Sequence, residues 1–126
     1  MKRLMLATDL GLLAYWVVTA TGLIPPYPEQ VLVDWNWSFL TLDLLAAGTG
    51  LVALHLARRG HPEARSAVLI SLALTHAAGL VALSFWVLRG EYDLAWWLPN
   101  LWLAGFPIVA VGVLFGCPVE TVGGRR

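Results

Sequence analysis

Charge is scarce in this 126-residue chain. Only 13% of its residues are Asp, Glu, Lys or Arg, about half the roughly 25% usual in soluble domains. The eight basic and eight acidic side chains cancel. They form no contiguous basic patch, which removes the electrostatic basis for nucleic-acid binding. Cysteine is rarer still: the lone Cys117 excludes an internal disulfide and any CxxC redox pair, and reads as apolar filler. The three histidines, His55, His61 and His76, lack ligand spacing of the HExxH kind, so no metal or other cofactor is expected.

What the chain has in abundance is apolar sequence, at 59%. Four runs, about 4–24, 37–57, 66–88 and 97–115, each approach the ~20 residues a helix needs to cross a hydrocarbon core ~30 Å thick. Lys2, Arg3, Arg58, Arg59, Arg65, Arg125 and Arg126 all fall on one side of those runs and only Arg89 on the other. The positive-inside rule then places both termini in the cytoplasm. Lys2-Arg3 before an apolar stretch mimics a signal peptide. The run is longer than a usual signal core, however, and carries Asp9, so it is read as a retained first helix.

The connections are short. Pro25-Pro26-Tyr27-Pro28 is expected to end the first helix, with Glu29 and Asp34 in an outer loop. Gly60 suits a helix cap and Pro62 a helix start in the cytoplasmic loop, and residues 89–93 form a second outer turn. Brief links make successive helices antiparallel neighbours. The fold class is therefore all-α: a single domain, residues 1–126, forming an antiparallel up-down four-helix transmembrane bundle. Pro107 should kink the fourth span, and residues 123–126 look like a flexible tail. No internal repeat supports an inverted-repeat transporter.

Tryptophan is uneven. Trp35, Trp37, Trp86, Trp96, Trp97 and Trp102 lie at or near the outer ends of helices, Trp16 lies deeper, and the cytoplasmic face has none. One-sided anchoring and an aromatic pocket opening outward both explain this. Asp43 lies six residues inside Trp37, roughly 9 Å at 1.5 Å per residue. Its helical face continues through Ala46, Ala47, Gly50 and Leu54, a small-residue stripe suited to helix packing. It should face the bundle, where an ionisable group is a functional candidate by default. A structural bond to Arg89 or Asn100 is the competing reading.

Asn100 shares a face with Ala104 and Pro107, and His76 shares one with Gly79, Leu83 and Trp86. Each reads either as interhelical glue or as part of a site. Arg89 ends its helix, with Glu91 and Asp93 within reach of a charge pair. The candidate site is thus Asp43 as a catalytic acid, with Trp37, His76, Trp86, Arg89, Trp97 and Asn100 binding a ligand. At the cytoplasmic side, Asp9 with His55, Arg58 and Thr8 suggests a structural ion pair. A proton relay through Asp9, His76 and Asp43 is the alternative, and it requires all three to face one channel.

The segments Asp34-Trp35-Asn36-Trp37-Ser38-Phe39 with Leu42-Asp43-Leu44, residues 84–101 (SFWVLRGEYDLAWWLPNL), and the opening Leu4-Met5-Leu6-Ala7-Thr8-Asp9 resemble the YvaD-like family of small bacterial membrane proteins. The resemblance covers nearly the whole chain. It implies the four-helix fold and a bacterial inner-membrane location, and transfers no catalytic residue.

Three functions follow as expectations, with the lipid bilayer as surroundings and no nucleic-acid partner. The first is binding of an apolar or amphipathic lipid or isoprenoid in an outward-facing, Trp-rich pocket. The second is acid-catalysed isomerisation or cyclisation of an isoprenoid, with Asp43 as the acid and indole faces steadying a carbocation. The third is proton-coupled export.

Overall fold

The computed structural model describes residues 1–116; Cys117 and the expected flexible tail at 123–126 lie outside the described residues. Five helical segments follow one another: α1 (Lys2–Ala20), α2 (Gln30–Ser38), α3 (Leu40–Arg58), α4 (Ala64–Arg89) and α5 (Leu94–Gly116). Four units are long and apolar enough to cross a membrane, namely α1, the joined α2–α3 stretch Gln30–Arg58, α4 and α5. There is no strand among the described residues.

The helix ends depart from expectation in two places. The first helix stops at Ala20, ahead of the prolines. Gly22 takes a left-handed φ of 73°, and Leu23 N–H donates to Val18 O at 3.2 Å. This is the glycine-dependent cap in which an orphan carbonyl is satisfied from beyond the helix end. The same device, with φ of 65° and 68°, ends α3 at Gly60 and α4 at Gly90, closed by His61 N–H to Leu56 O and Glu91 N–H to Trp86 O.

The second departure is α2, which occupies sequence expected to be loop. Asp34 sits within it, and Glu29 is its N-cap. Helix α2 runs almost without a break into α3. At the junction the Ser38 hydroxyl donates to Trp35 O at 2.6 Å, and Phe39 N–H turns to Asn36 O at 3.1 Å. A serine that captures a carbonyl of the preceding turn diverts the backbone ladder, which accounts for a break with neither proline nor glycine. The 19 residues of α3 alone reach about 28 Å, close to the hydrocarbon thickness, so α2 is additional.

Helix α1 packs on α3, α3 on α4, and α4 on α5, whereas α1 and α5 do not pack along their lengths. Two close approaches draw the neighbours together. A Cβ at Gly50 would overlap the Asp9 carboxylate across α1–α3, and one at Gly79 would overlap α5 backbone at Asn100 and Ala104. Between α3 and α4, buried Ser71 donates to Ala46 O at 3.1 Å. Met5, Leu54, Leu72, Phe106 and Ala110 form a core toward the arginine-bearing end, and Leu12, Ala46 and Ala47 form another nearer the middle. The stripe read from sequence, Asp43, Ala46, Ala47, Gly50 and Leu54, is buried throughout.

Proline placement in α5 organises polar side chains around it. Pro99 and Pro107 both lie inside the continuous helix. Each removes an N–H and crowds the preceding turn. In both cases a side chain bonds a carbonyl of that turn. Asn100 Nδ2 donates to Trp96 O at 2.7 Å, and His76 Nδ1–H, from α4, donates to Ala104 O at 2.7 Å. The carbonyls that the prolines leave without an N–H are four residues back, at Ala95 and Leu103; the two side chains bond the carbonyls next to them.

Candidate functional site

Because α1 and α5 do not close against each other, a cavity of about 690 Å³ lies in the seam between them. Its lip is exposed: Ala7 and Gly11 on α1, Pro99 and Trp102 on α5. Its back wall is buried: Leu12, Trp16, Asp43, Ala78, Ala82 and Trp86. Trp35, Asn36 and Phe39, from α2 and its junction with α3, line the cavity as well. The seam is fastened by one hydrogen bond, Trp102 Nε1–H to Thr8 Oγ1 at 3.0 Å. Thr8 in turn donates to Leu4 O at 2.9 Å. The volume is within the range of about 300–1,000 Å³ typical of small-molecule sites, and a mostly apolar wall with few polar groups is their usual make-up.

Asp43 is the charged residue of that wall. It lies in the first turn of α3, where the helix dipole complements negative charge, and is 6% exposed. Trp16 Nε1–H donates to its Oδ2 at 2.9 Å, while Oδ1 has no partner. The indole N–H of Trp86, 3% exposed, is also unpartnered. Buried polar atoms are nearly always satisfied, so an unpaired acceptor and an unpaired donor on one cavity wall call for an explanation.

Aromatic rings pack around Trp86. Trp86 lies roughly parallel to Trp96 (centroids 6.4 Å apart, planes at 21°) and perpendicular to Trp35 (5.5 Å, 81°). Trp35 stacks on Phe85 at 4.0 Å. Tyr27, in the α1–α2 connection, sets its ring against Trp96 and Trp86. Its hydroxyl is buried without a partner, and burial pushes this phenol well above its ordinary range. Tyr15 donates to Asn36 Oδ1 at 2.8 Å, tying α1 to α2.

Of the residues singled out in the sequence, Asp43, Trp86 and Asn100 line this cavity, and Trp37, His76, Arg89 and Trp97 do not. Trp37 borders a separate pocket of about 240 Å³ with Tyr27. His76 is engaged with Ala104 O. Arg89 pairs with Glu91 at 2.8 Å, not with Asp43, and its guanidinium lies over Phe85. Trp97 Nε1–H donates to Glu91 O at 3.0 Å. Among the described residues no ion pair joins Asp9 to His55 or Arg58. Asp9 is instead 2% exposed, against Gly50, with Oδ2 unpartnered. Asp9, His76 and Asp43 therefore do not share the cavity; Asp43 alone of the three lines it.

Trp16 is the partner that the sequence reading passed over. It lies four residues from the end of α1, and Asp43 lies three from the start of α3. In antiparallel neighbours, similar distance from one end means similar depth, which makes Trp16 one of the candidates at that level.

The model of the family described as "Family of unknown function (DUF5360)" matches residues 1–120. The chain belongs to this family. It is also 39% identical over 120 residues, 90% of each chain, to a protein of Bacillus subtilis (strain 168) named "Uncharacterized protein YvaD". The resemblance read from the tryptophan-rich motifs is thereby established. No solved structure matches the chain.

Proposed function

We propose that this DUF5360 member is a four-span protein of a bacterial inner membrane, with both termini in the cytoplasm, that takes up an apolar or amphipathic small molecule such as a lipid or isoprenoid in the α1–α5 seam. The observation that carries this reading is the 690 Å³ cavity. It has an exposed lip and an apolar back wall holding one unpartnered carboxylate oxygen and one unpartnered indole N–H. A molecule dissolved in the bilayer reaches such a seam sideways, without crossing the polar surface. The surrounding helices present large apolar side chains outward, including Leu10, Val17, Leu98 and Leu101, as lipid contact requires.

Gly11 supplies the test. It lines the cavity, and a Cβ there would meet nothing within 4 Å. Gly11→Leu fills the seam, and it replaces a poor helix former by a good one, worth about 0.8 kcal/mol in the fold's favour. Mass spectrometry of protein released from micelles should find a bound apolar molecule on the wild type and several-fold less on Gly11→Leu, with thermal stability kept. Equal retention by both proteins, or none by either, would remove the reading.

A second reading draws on the same geometry. The unpartnered oxygen of Asp43 suits proton donation to an isoprenoid double bond, with the indole faces of the same cavity stabilising the resulting carbocation. Full turnover by Asp43→Asn on such a substrate would end it.

A further inference from the structure

Among the described residues, the cavity wall carries a carboxylate and no basic side chain. Neither Lys nor Arg is among the lining residues, and Arg89, the basic residue of the aromatic end, is held by Glu91 through both Nε and a terminal nitrogen. Trp16 orients Asp43, a lining residue of the cavity, through Oδ2 and leaves Oδ1 buried and unpartnered. A buried carboxylate needs a counter-charge or a proton. Among the described residues, the wall supplies no counter-charge.

The indoles that line the same cavity add a second, independent preference. Trp86 and Trp96 are nearly parallel, and Trp35 stands perpendicular to Trp86. All three line the same cavity. Indoles set in two directions offer π surface on more than one side, and indole is the best of the aromatic side chains at attracting a cation. A carboxylate and an aromatic box together select positive charge on a body that is otherwise apolar.

We propose that the ligand is an amphiphile with a single positively charged ammonium head, placed at Asp43 within the Trp35–Trp86–Trp96 box while its apolar body fills the seam toward Gly11 and Leu103. A zwitterionic phospholipid head fits less well, because its phosphate would find no basic residue on this wall. The inference rests on the seam being a binding site and adds the charge of what it binds.

The test uses the full chain purified in an uncharged maltoside micelle, with intrinsic tryptophan emission as readout. Three probes share one tail: dodecyltrimethylammonium, zwitterionic dodecylphosphocholine and uncharged dodecanol. The cation is expected to bind the wild type about tenfold or more tightly than either of the others. Asp43→Asn keeps the side-chain shape and an acceptor for Trp16, and should lose that advantage, so that the affinities for the cation and the uncharged probe converge. A circular-dichroism melt matching wild type shows that the variant is folded. Equal affinity for all three probes, or an unchanged preference for the cation in Asp43→Asn, overturns the charge assignment and leaves the seam as a general apolar site. Preference for dodecylphosphocholine overturns it in favour of a phospholipid. Failure of every probe to bind the wild type removes the binding site itself.

Discussion

At Gly50 even a methyl group would land on the Asp9 carboxylate. Gly50→Ala is therefore expected to destabilise the protein, by about 1–3 kcal/mol as overpacking does, despite the helix propensity gained. The strain has a removable partner. In the Asp9→Ala background the cost of Gly50→Ala should fall by about 1 kcal/mol or more, a coupling that a double-mutant cycle of unfolding in mixed micelles reads directly. Additive effects would mean that the two helices have another route of approach. Gly79 offers the contrast, because its neighbours are α5 backbone atoms that no side-chain truncation can clear. At this scale the sequence was informative about direction and poor on partners. Small residues at 46, 47 and 50 told which way Asp43 faces. Whether Trp16, Arg89 or Asn100 would meet it depended on the register between helices, which no single segment encodes.

Helix α5 shows how an element depends on its neighbour. Two prolines weaken its ladder, and His76 of α4 is bonded to a carbonyl one turn ahead of the second. His76→Leu removes this interhelical bond and should cost about 0.5–1.5 kcal/mol, the usual net contribution of one hydrogen bond. His76→Gln, which keeps a donor, should recover part of it; both are measured by unfolding in mixed micelles. If the two variants unfold alike, the bond contributes nothing. The four long elements were legible because apolar length is a property of local sequence. Helix α2 was not, because its Glu29 and Asp34 read as loop and its only buried side chain is Leu32. The end of α1 was misplaced because three prolines drew attention from Gly22, whose left-handed conformation ends the helix first. The cavity was the least legible feature. It arises from two helices far apart in sequence failing to meet, and a pattern read along one helix at a time contains no such information.

For the molecule as a whole, the proposed orientation rests on where eight basic residues fall. Three of them, Arg58, Arg59 and Arg65, crowd the α3–α4 connection, and Lys2 and Arg3 lie at the same end of the bundle. The opposite end carries Glu29, Asp34, Glu91 and Asp93, with Arg89 already paired. Short connections with this asymmetry should insert one way, the basic loop inward. In a Cys117→Ser background, Tyr92→Cys should react with a membrane-impermeant maleimide on intact cells, and Glu63→Cys only after permeabilisation. The opposite labelling would reverse the proposed orientation, and with it the side toward which the aromatic cluster lies. Shifting the charge then tests the cause. Replacing Arg58, Arg59 and Arg65 by Gln while placing Lys at Glu91 and Asp93 should yield a population in which Glu63→Cys is labelled on intact cells. If labelling stays as in the parent, the arginines do not set the orientation, and the asymmetry must lie in the helices themselves.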